Sequence, residues 1–226
     1  MAFDIKQRVF EDGDYDEEAG LNYREDLMER FAASLEGQEA ERQNGLLGHA
    51  YTFMDYGMSY LGVTPPEMSP DQVEEILFDI FPRKVSADPG SGPEILLELQ
   101  AFWTFLQREF QLPNAGKCLK MLRSTTGNDV ERELQNPANF GIAKSFFMLG
   151  RQQGFDMTSE KGIQAFTQAY NAGLASNPVP SLPVPSLSPF SLFEDPEYPH
   201  PKRHAPKKAV TRRKMAQVSR RKNRKK

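Results

Sequence analysis

The stretch that decides the fold is residues 91–113, SGPEILLELQAFWTFLQREFQLP. Ser91-Gly92-Pro93-Glu94 reads as a helix start, with a capping serine, a proline in the first turn and an acid that complements the positive end of the helix dipole. Ile95, Leu99, Phe102, Trp103, Leu106 and Phe110 then recur at three- and four-residue steps, and Pro113 ends the run. That spacing predicts the strongest core helix of the chain, with Trp103 as a core residue.

The same grammar repeats on both sides. Ser69-Pro70-Asp71-Gln72 has the form of a capping box, opening a predicted helix through Val73, Ile76, Leu77 and Ile80 that Pro82 should stop. Tyr23, Leu27, Phe31 and Leu35 predict a helix from Leu21, with Arg24, Glu25, Glu29 and Arg30 toward water. A second is expected from Gln38 to Leu61, its inner side made by Leu46, Leu47, Ala50, Phe53, Met54, Tyr56 and Tyr60. Asn114 is expected to cap a shorter helix through Leu119 and Leu122, and Asn136-Pro137 to open one from Ala138 to Arg151. Thr158 or Ser159 should cap a last helix through Ile163, Phe166 and Tyr170. Asn139 to Met148 is the densest apolar block and reads as a central core helix, whose small Gly141, Ala143 and Ser145 would admit a neighbour; a groove for a partner helix or small ligand is the alternative. No alternation of period two is bounded by hairpin turns. The expected fold class is all-α, a compact bundle of about seven or eight helices packed stripe on stripe.

The ends read differently. Within residues 1–20, expected to be a flexible acidic terminus, Glu11 to Glu18 holds six acids in eight positions, which repel one another and bury nothing. Residues 21–175 form the expected helical domain. Residues 176–201 read as a Pro-rich linker, with eight prolines among the 24 residues from Pro178 to Pro201. Such a chain favours polyproline II at about 3.1 Å per residue, a spacer of up to roughly 70 Å. Pro180, Pro183, Pro185 and Pro189, with Phe190, Leu192 and Phe193, could also serve as a peptide ligand for a protein partner.

Residues 202–226 read as a basic disordered tail. They hold thirteen Lys/Arg and no acid, which leaves 28 − 13 = 15 bases against 31 acids before them, a net charge of −16 against +13. Lys207, Lys208, Arg212, Arg213, Lys214, Arg220, Arg221, Lys222, Arg224, Lys225 and Lys226 form clusters that are candidate nucleic-acid contacts. Dense cations displace condensed counterions without needing a pocket. No Phe, Tyr or Trp is present in the tail to stack on a base, so the expected mode is contact with the RNA or DNA backbone, without sequence reading. A solubility tail, a lipid contact through Val210, Met215 and Val218, and docking onto Glu11 to Glu18 in cis are the competing readings.

Reaction chemistry is hard to find. One cysteine, Cys118, excludes an internal disulfide and sits on an apolar helix face. His49 is the lone histidine before the linker, so a histidine metal site is not expected. Asp12, Asp14 and Asp16 imitate the opening of a calcium loop, but Glu17 stands where it needs Gly and Tyr23 where it needs Glu. Gly57 to Gly62 misses the nucleophile-elbow spacing, and no phosphate-cradling glycine loop is present. Neither a signal peptide nor a membrane span is expected. These observations point to a non-enzymatic protein of the cytoplasm, without cofactor or metal.

Gly141-Ile142-Ala143-Lys144-Ser145-Phe146-Phe147-Met148 and Gly154-Phe155-Asp156-Met157-Thr158-Ser159 resemble a family of uncharacterised bacterial proteins, largely cyanobacterial. Asp55-Tyr56-Gly57, Leu61-Gly62-Val63-Thr64-Pro65-Pro66 and Ile80-Phe81-Pro82-Arg83-Lys84-Val85 are similar to parts of the same family, as is the Lys/Arg-rich ending. The resemblance implies a bacterial cytoplasmic setting and carries no catalytic residue. The leading expectation is a helical protein tethered to RNA, ribosomes or DNA by its basic tail. The alternative is a protein–protein adaptor using the helical body and the Pro-rich segment, with the tail for solubility or an acidic partner.

Overall fold

A computed structural model describes residues 3–11 and 13–176, with side chains as far as residue 173. The class is all-α; among the described residues the one sheet is a two-stranded hairpin. Helix α6, Ser91–Phe110, is the axis, and it buries Ile95, Leu96, Leu99, Phe102, Trp103, Phe105 and Leu106. Apolar side chains covering this much of its circumference demand neighbours on several sides. Helices α2 (Leu35–Asn44), α3 (His49–Leu61), α7 (Ala115–Arg123) and α8 (Gly127–Gln135) supply them. Each such side chain withdrawn from water contributes about 1.5–3 kcal/mol before the entropy of ordering is subtracted.

The start of α6 departs from expectation. Its N-cap is Gly90, in the left-handed region, and Ser91 makes no cap. Glu131 of α8 takes the cap's place: its two carboxylate oxygens accept the Gly90 and Gly92 N–H groups, each at 2.8 Å. The two helices cross closely enough to require glycine on both. A Cβ on Gly92 would lie 2.6 Å from Gly127 O, and one on Gly127 would lie 2.8 Å from Pro93 Cα.

Helix α1 spans Glu17–Ala33 and begins four residues before the expected Leu21. Asp16 is its N-cap, accepting the Ala19 N–H at 3.0 Å, and Glu17 and Glu18 in the first turn complement the dipole. None of the described acids from Glu11 to Glu18 is buried, but the residues ahead of them pack on the body. Ile5 and Val9 are in the core, and Tyr23 donates to Ile5 O at 3.0 Å. Strands β1 (Phe10–Glu11) and β2 (Asp14–Tyr15) form the hairpin, with Phe10 opposite Tyr15. The acids could not be read as a loose run, because they serve a turn and a helix start.

The helix expected from Gln38 to Leu61 is two helices. α2 stops at Gly45, whose φ of 81° a helix cannot hold, and α3 starts after Gly48. Leu46, placed inside by the pattern, is 80% exposed in that break, and Leu35 is 79% exposed at the start of α2.

Ser69 and Gln72 form the expected capping box of α4, Pro70–Glu75. Pro82 does not stop the chain there. A π-helical turn, Ile76–Ile80, carries α4 into α5, Phe81–Lys84, with the Phe81 N–H reaching back to Ile76 O. Widening the helix just before Pro82 accommodates its ring and its missing N–H.

Asn114 precedes α7 as expected, but its side chain does not cap. It donates to Pro65 O (2.9 Å) and Met68 O (2.7 Å), holding the turn before α4 against α7. Helix α8 was not anticipated, although Thr126 and Asp129 form a capping box ahead of Val130 and Leu134. Pro137–Asn139 is only a 3-10 turn, so α9 spans Ile142–Gln152 and not Ala138 to Arg151. α10, Glu160–Ser176, is capped by Ser159, which accepts the Gly162 N–H at 3.1 Å.

The block from Asn139 to Met148 is not a central core helix. Ile142 is 56% exposed, and Phe146, Met157 and Phe166 form a small core of their own between α9 and α10. Of the expected linker, 176–201, and tail, 202–226, Ser176 is the last residue of α10 and residues 177–226 lie outside the described residues.

Candidate nucleic-acid interface

The predicted contacts Lys207, Lys208, Arg212, Arg213, Lys214, Arg220, Arg221, Lys222, Arg224, Lys225 and Lys226 all lie outside the described residues. What the structure places is the charge of the body that carries them. Residues 1–176 hold 15 bases and, after Glu194, Asp195 and Glu197 are subtracted from the 31 acids, 28 acids, a net of −13.

Most arginines of this body are held by carboxylates. Arg24 pairs with Asp55 and lies 4.8 Å from the Tyr51 ring centroid. Arg108 binds Glu36 through two contacts of 2.8 and 3.1 Å, which hold the Glu36 carboxyl below its ordinary range. Arg132 reaches Asp129 and Arg151 reaches Asp88, both at 3.0 Å.

Helix α7 differs in kind. It contains Lys117, Lys120 and Arg123 and no acid. Ala115, Cys118, Leu119 and Leu122 are buried, and this rotational register leaves the three bases exposed on the outer face. None of the three has an ion pair with another described residue. At 1.5 Å rise per residue they span about 9 Å along the axis. Beside them α6 presents uncharged polar groups. Gln100 donates to Leu122 O at 3.0 Å, and Gln107 flanks Gly116. A shallow groove of about 290 Å³ lies between α2 and α6, with Arg123 on its rim and Glu36 and Glu39 in its wall. The sequence signal for this stripe was the i, i+3, i+6 spacing of three bases in a segment without acids, and it was missed.

Helix α1 is the counterpart. Glu17, Glu18, Glu25, Asp26 and Glu29 are exposed, as are Glu11 and Asp14 on the hairpin, and none of these seven is ion-paired with a described residue. Beside the hairpin, Lys6, Gln7, Arg8, Val9 and Phe10 meet Thr64, Pro66 and Glu67 around an open cleft of about 330 Å³.

The buried ionisable groups are engaged in holding helices. Glu98, fully buried, accepts the Gly48 and Ala50 N–H groups at 3.0 and 2.8 Å and so caps α3, which has no cap of its own. Lys144 donates to Pro82 O (2.9 Å) and Leu134 O (2.8 Å) and sits 4.1 Å from the Phe140 ring centroid; burial pushes its ammonium down to about 8. Burial pushes the Cys118 thiol up to about 12, away from the reactive thiolate. Tyr56 is likewise raised to about 12 by burial. His49, half-buried, opens α3.

Among the described residues no group of three His, Cys, Asp or Glu could hold a metal ion, and no helix is long and apolar enough to cross a membrane. Asp12 of the calcium-loop imitation lies outside the described residues. No family model, curated protein or solved structure matches the chain.

Proposed function

We propose that the protein is a non-enzymatic helical module that holds RNA, ribosomes or DNA through its basic C-terminal segment, without sequence preference. One observation carries this reading: thirteen bases and no acid in residues 202–226, against a net of −16 in the 201 residues before them. A polycation binds phosphate chains by releasing their counterions, and most of the acidic body's surface repels them. The non-enzymatic part is supported by the employment of Glu98, Lys144 and Arg24 as helix caps and ties, and by a thiol that burial keeps protonated. The resemblance to cyanobacterial proteins supports a bacterial cytoplasmic setting.

The test is deletion of Lys202 to Lys226, followed by binding to mixed RNA and to duplex DNA across salt. The intact chain is expected to bind at low salt and to lose about 10³–10⁵ in affinity between 50 and 200 mM if six to ten contacts form. Undiminished binding after the deletion, or no binding by the intact chain at low salt, overturns the reading. The latter result would favour the adaptor reading, to which the exposed Leu35 at the start of α2 and Leu46 in the break after it lend apolar contacts.

A further inference from the structure

We infer that the outer face of α7 is the body's own phosphate contact, so that nucleic acid held by the tail is also gripped by Lys117, Lys120 and Arg123. The inference rests on the tail reading and adds a second, structured site to it. The geometry is the argument. In a body of net charge −13 a phosphate chain is repelled over most of the surface, and the acidic face of α1 repels it most. On α7 three cations project from consecutive turns of one helix, with no acid on that helix and no carboxylate engaging them among the described residues. An unpaired base gives up no existing partner when it meets a phosphate, whereas Arg108 or Arg132 would have to break a salt bridge.

Placement also sets direction. The α7 face is rigidly based, because Cys118, Leu119 and Leu122 are in the core and Asn114 ties the helix start to Pro65 and Met68. Gln100 and Gln107 beside it can add neutral hydrogen bonds. Arg123 also borders the groove against α2, where Glu36 and Glu39 are already held by Arg108 and Arg42. Lys6 and Arg8, both exposed, border a cleft with Thr64, Pro66 and Glu67, and the Pro65 and Met68 carbonyls of the same segment hold Asn114 at the start of α7. The partner recognised is therefore a phosphodiester backbone lying along α7, not a base edge. Covalent linkage to the tail turns this weak contact into an intramolecular one at raised effective concentration.

The experiment uses the full-length chain and short fluorescent probes, one single-stranded RNA and one duplex DNA. Lys117→Gln, Lys120→Gln and Arg123→Gln are combined. The slope of log affinity against log salt should become shallower by about 2 to 3, and binding at 0.1 M salt should weaken by about 10- to 100-fold. A charge-matched variant, Arg42→Gln with Arg132→Gln and Lys161→Gln, removes three exposed bases from α2, α8 and α10 and should leave the slope nearly unchanged. Thermal melting of the α7 variant should match the parent, because the changes lie on an exposed face. If the α7 variant and the charge-matched variant behave alike while tail deletion abolishes binding, the inference falls and the tail reading stands. If tail deletion costs nothing while the α7 variant loses binding, the tail reading falls and α7 remains the contact. No binding by the intact chain overturns both.

Discussion

The main body and the α9–α10 hairpin are both made of helices rich in phenylalanine, yet they are held in opposite ways. In the body, Phe31, Phe53, Phe102, Trp103 and Phe105 interlock around α6 in one continuous core. In the hairpin, Phe146, Phe155, Phe166 and Tyr170 stack on one another, with Phe146 and Phe166 centroids 4.6 Å apart. The two are joined through polar groups: Gly141 N–H to Arg83 O at 3.1 Å, the two Lys144 bonds, and Arg151 to Asp88. Apolar burial makes the body one cooperative unit, whereas directional bonds attach the hairpin and leave it free to open by itself. Since α10 is the element that leads into residues 177–226, the least firmly attached part of the fold is the part that would carry the tail.

The sharpest break of this comparison is Phe102→Ala. It should cost about 3–5 kcal/mol in a urea titration and lower the protection of every body helix together. Phe166→Ala is the matched change in the hairpin. Hydrogen exchange should show α9 and α10 opening while α6 keeps its protection; simultaneous loss in α6 would show that the two regions form one cooperative unit. Glu98→Ala follows, at about 3 kcal/mol, because two N–H groups at the start of α3 lose their shared acceptor. pH gives a smaller effect on the hairpin. The Lys144 ammonium titrates near 8 in the fold and near its ordinary 10.5 when unfolded. The penalty of burying its charge is therefore fully present below pH 8, and stability should rise between pH 8 and 10.5 by about 1–3 kcal/mol. A flat profile, or carbon NMR that places the Lys144 titration near 10.5, would refute this. Smallest is Arg151→Gln, expected to change stability by less than about 1 kcal/mol, because the pair with Asp88 is exposed.

Legibility followed the range of the interactions. The Ser69 to Gln72 cap, the α6 stripe and the core status of Trp103 depend on neighbours within a turn or two, and they stand as expected. Ser91 misled because its role is taken by Glu131, forty residues on. Pro82 misled because a π turn upstream absorbs it. The apolar block at Asn139 to Met148 had the density of a core, but among the described residues it packs into a small separate cluster with α10 and the Phe155–Met157 loop. Lys144 and Glu98 are invisible locally, since each acts on backbone groups of distant helices. The α7 stripe was written in its spacing, but its lack of acidic partners appears only when the surrounding helices are in place.

The carboxylate of Glu98 has a consequence for the order of synthesis. The first turn of α3 is completed by a residue about fifty positions downstream. A chain emerging from the ribosome therefore carries an unfinished N-terminal half until α6 has been made, despite the usual tendency of early segments to fold first. Arrested chains ending near residue 90 should leave the α3 amides open to exchange, and chains extended past α6 should close them; protection in the shorter chains would refute this dependence.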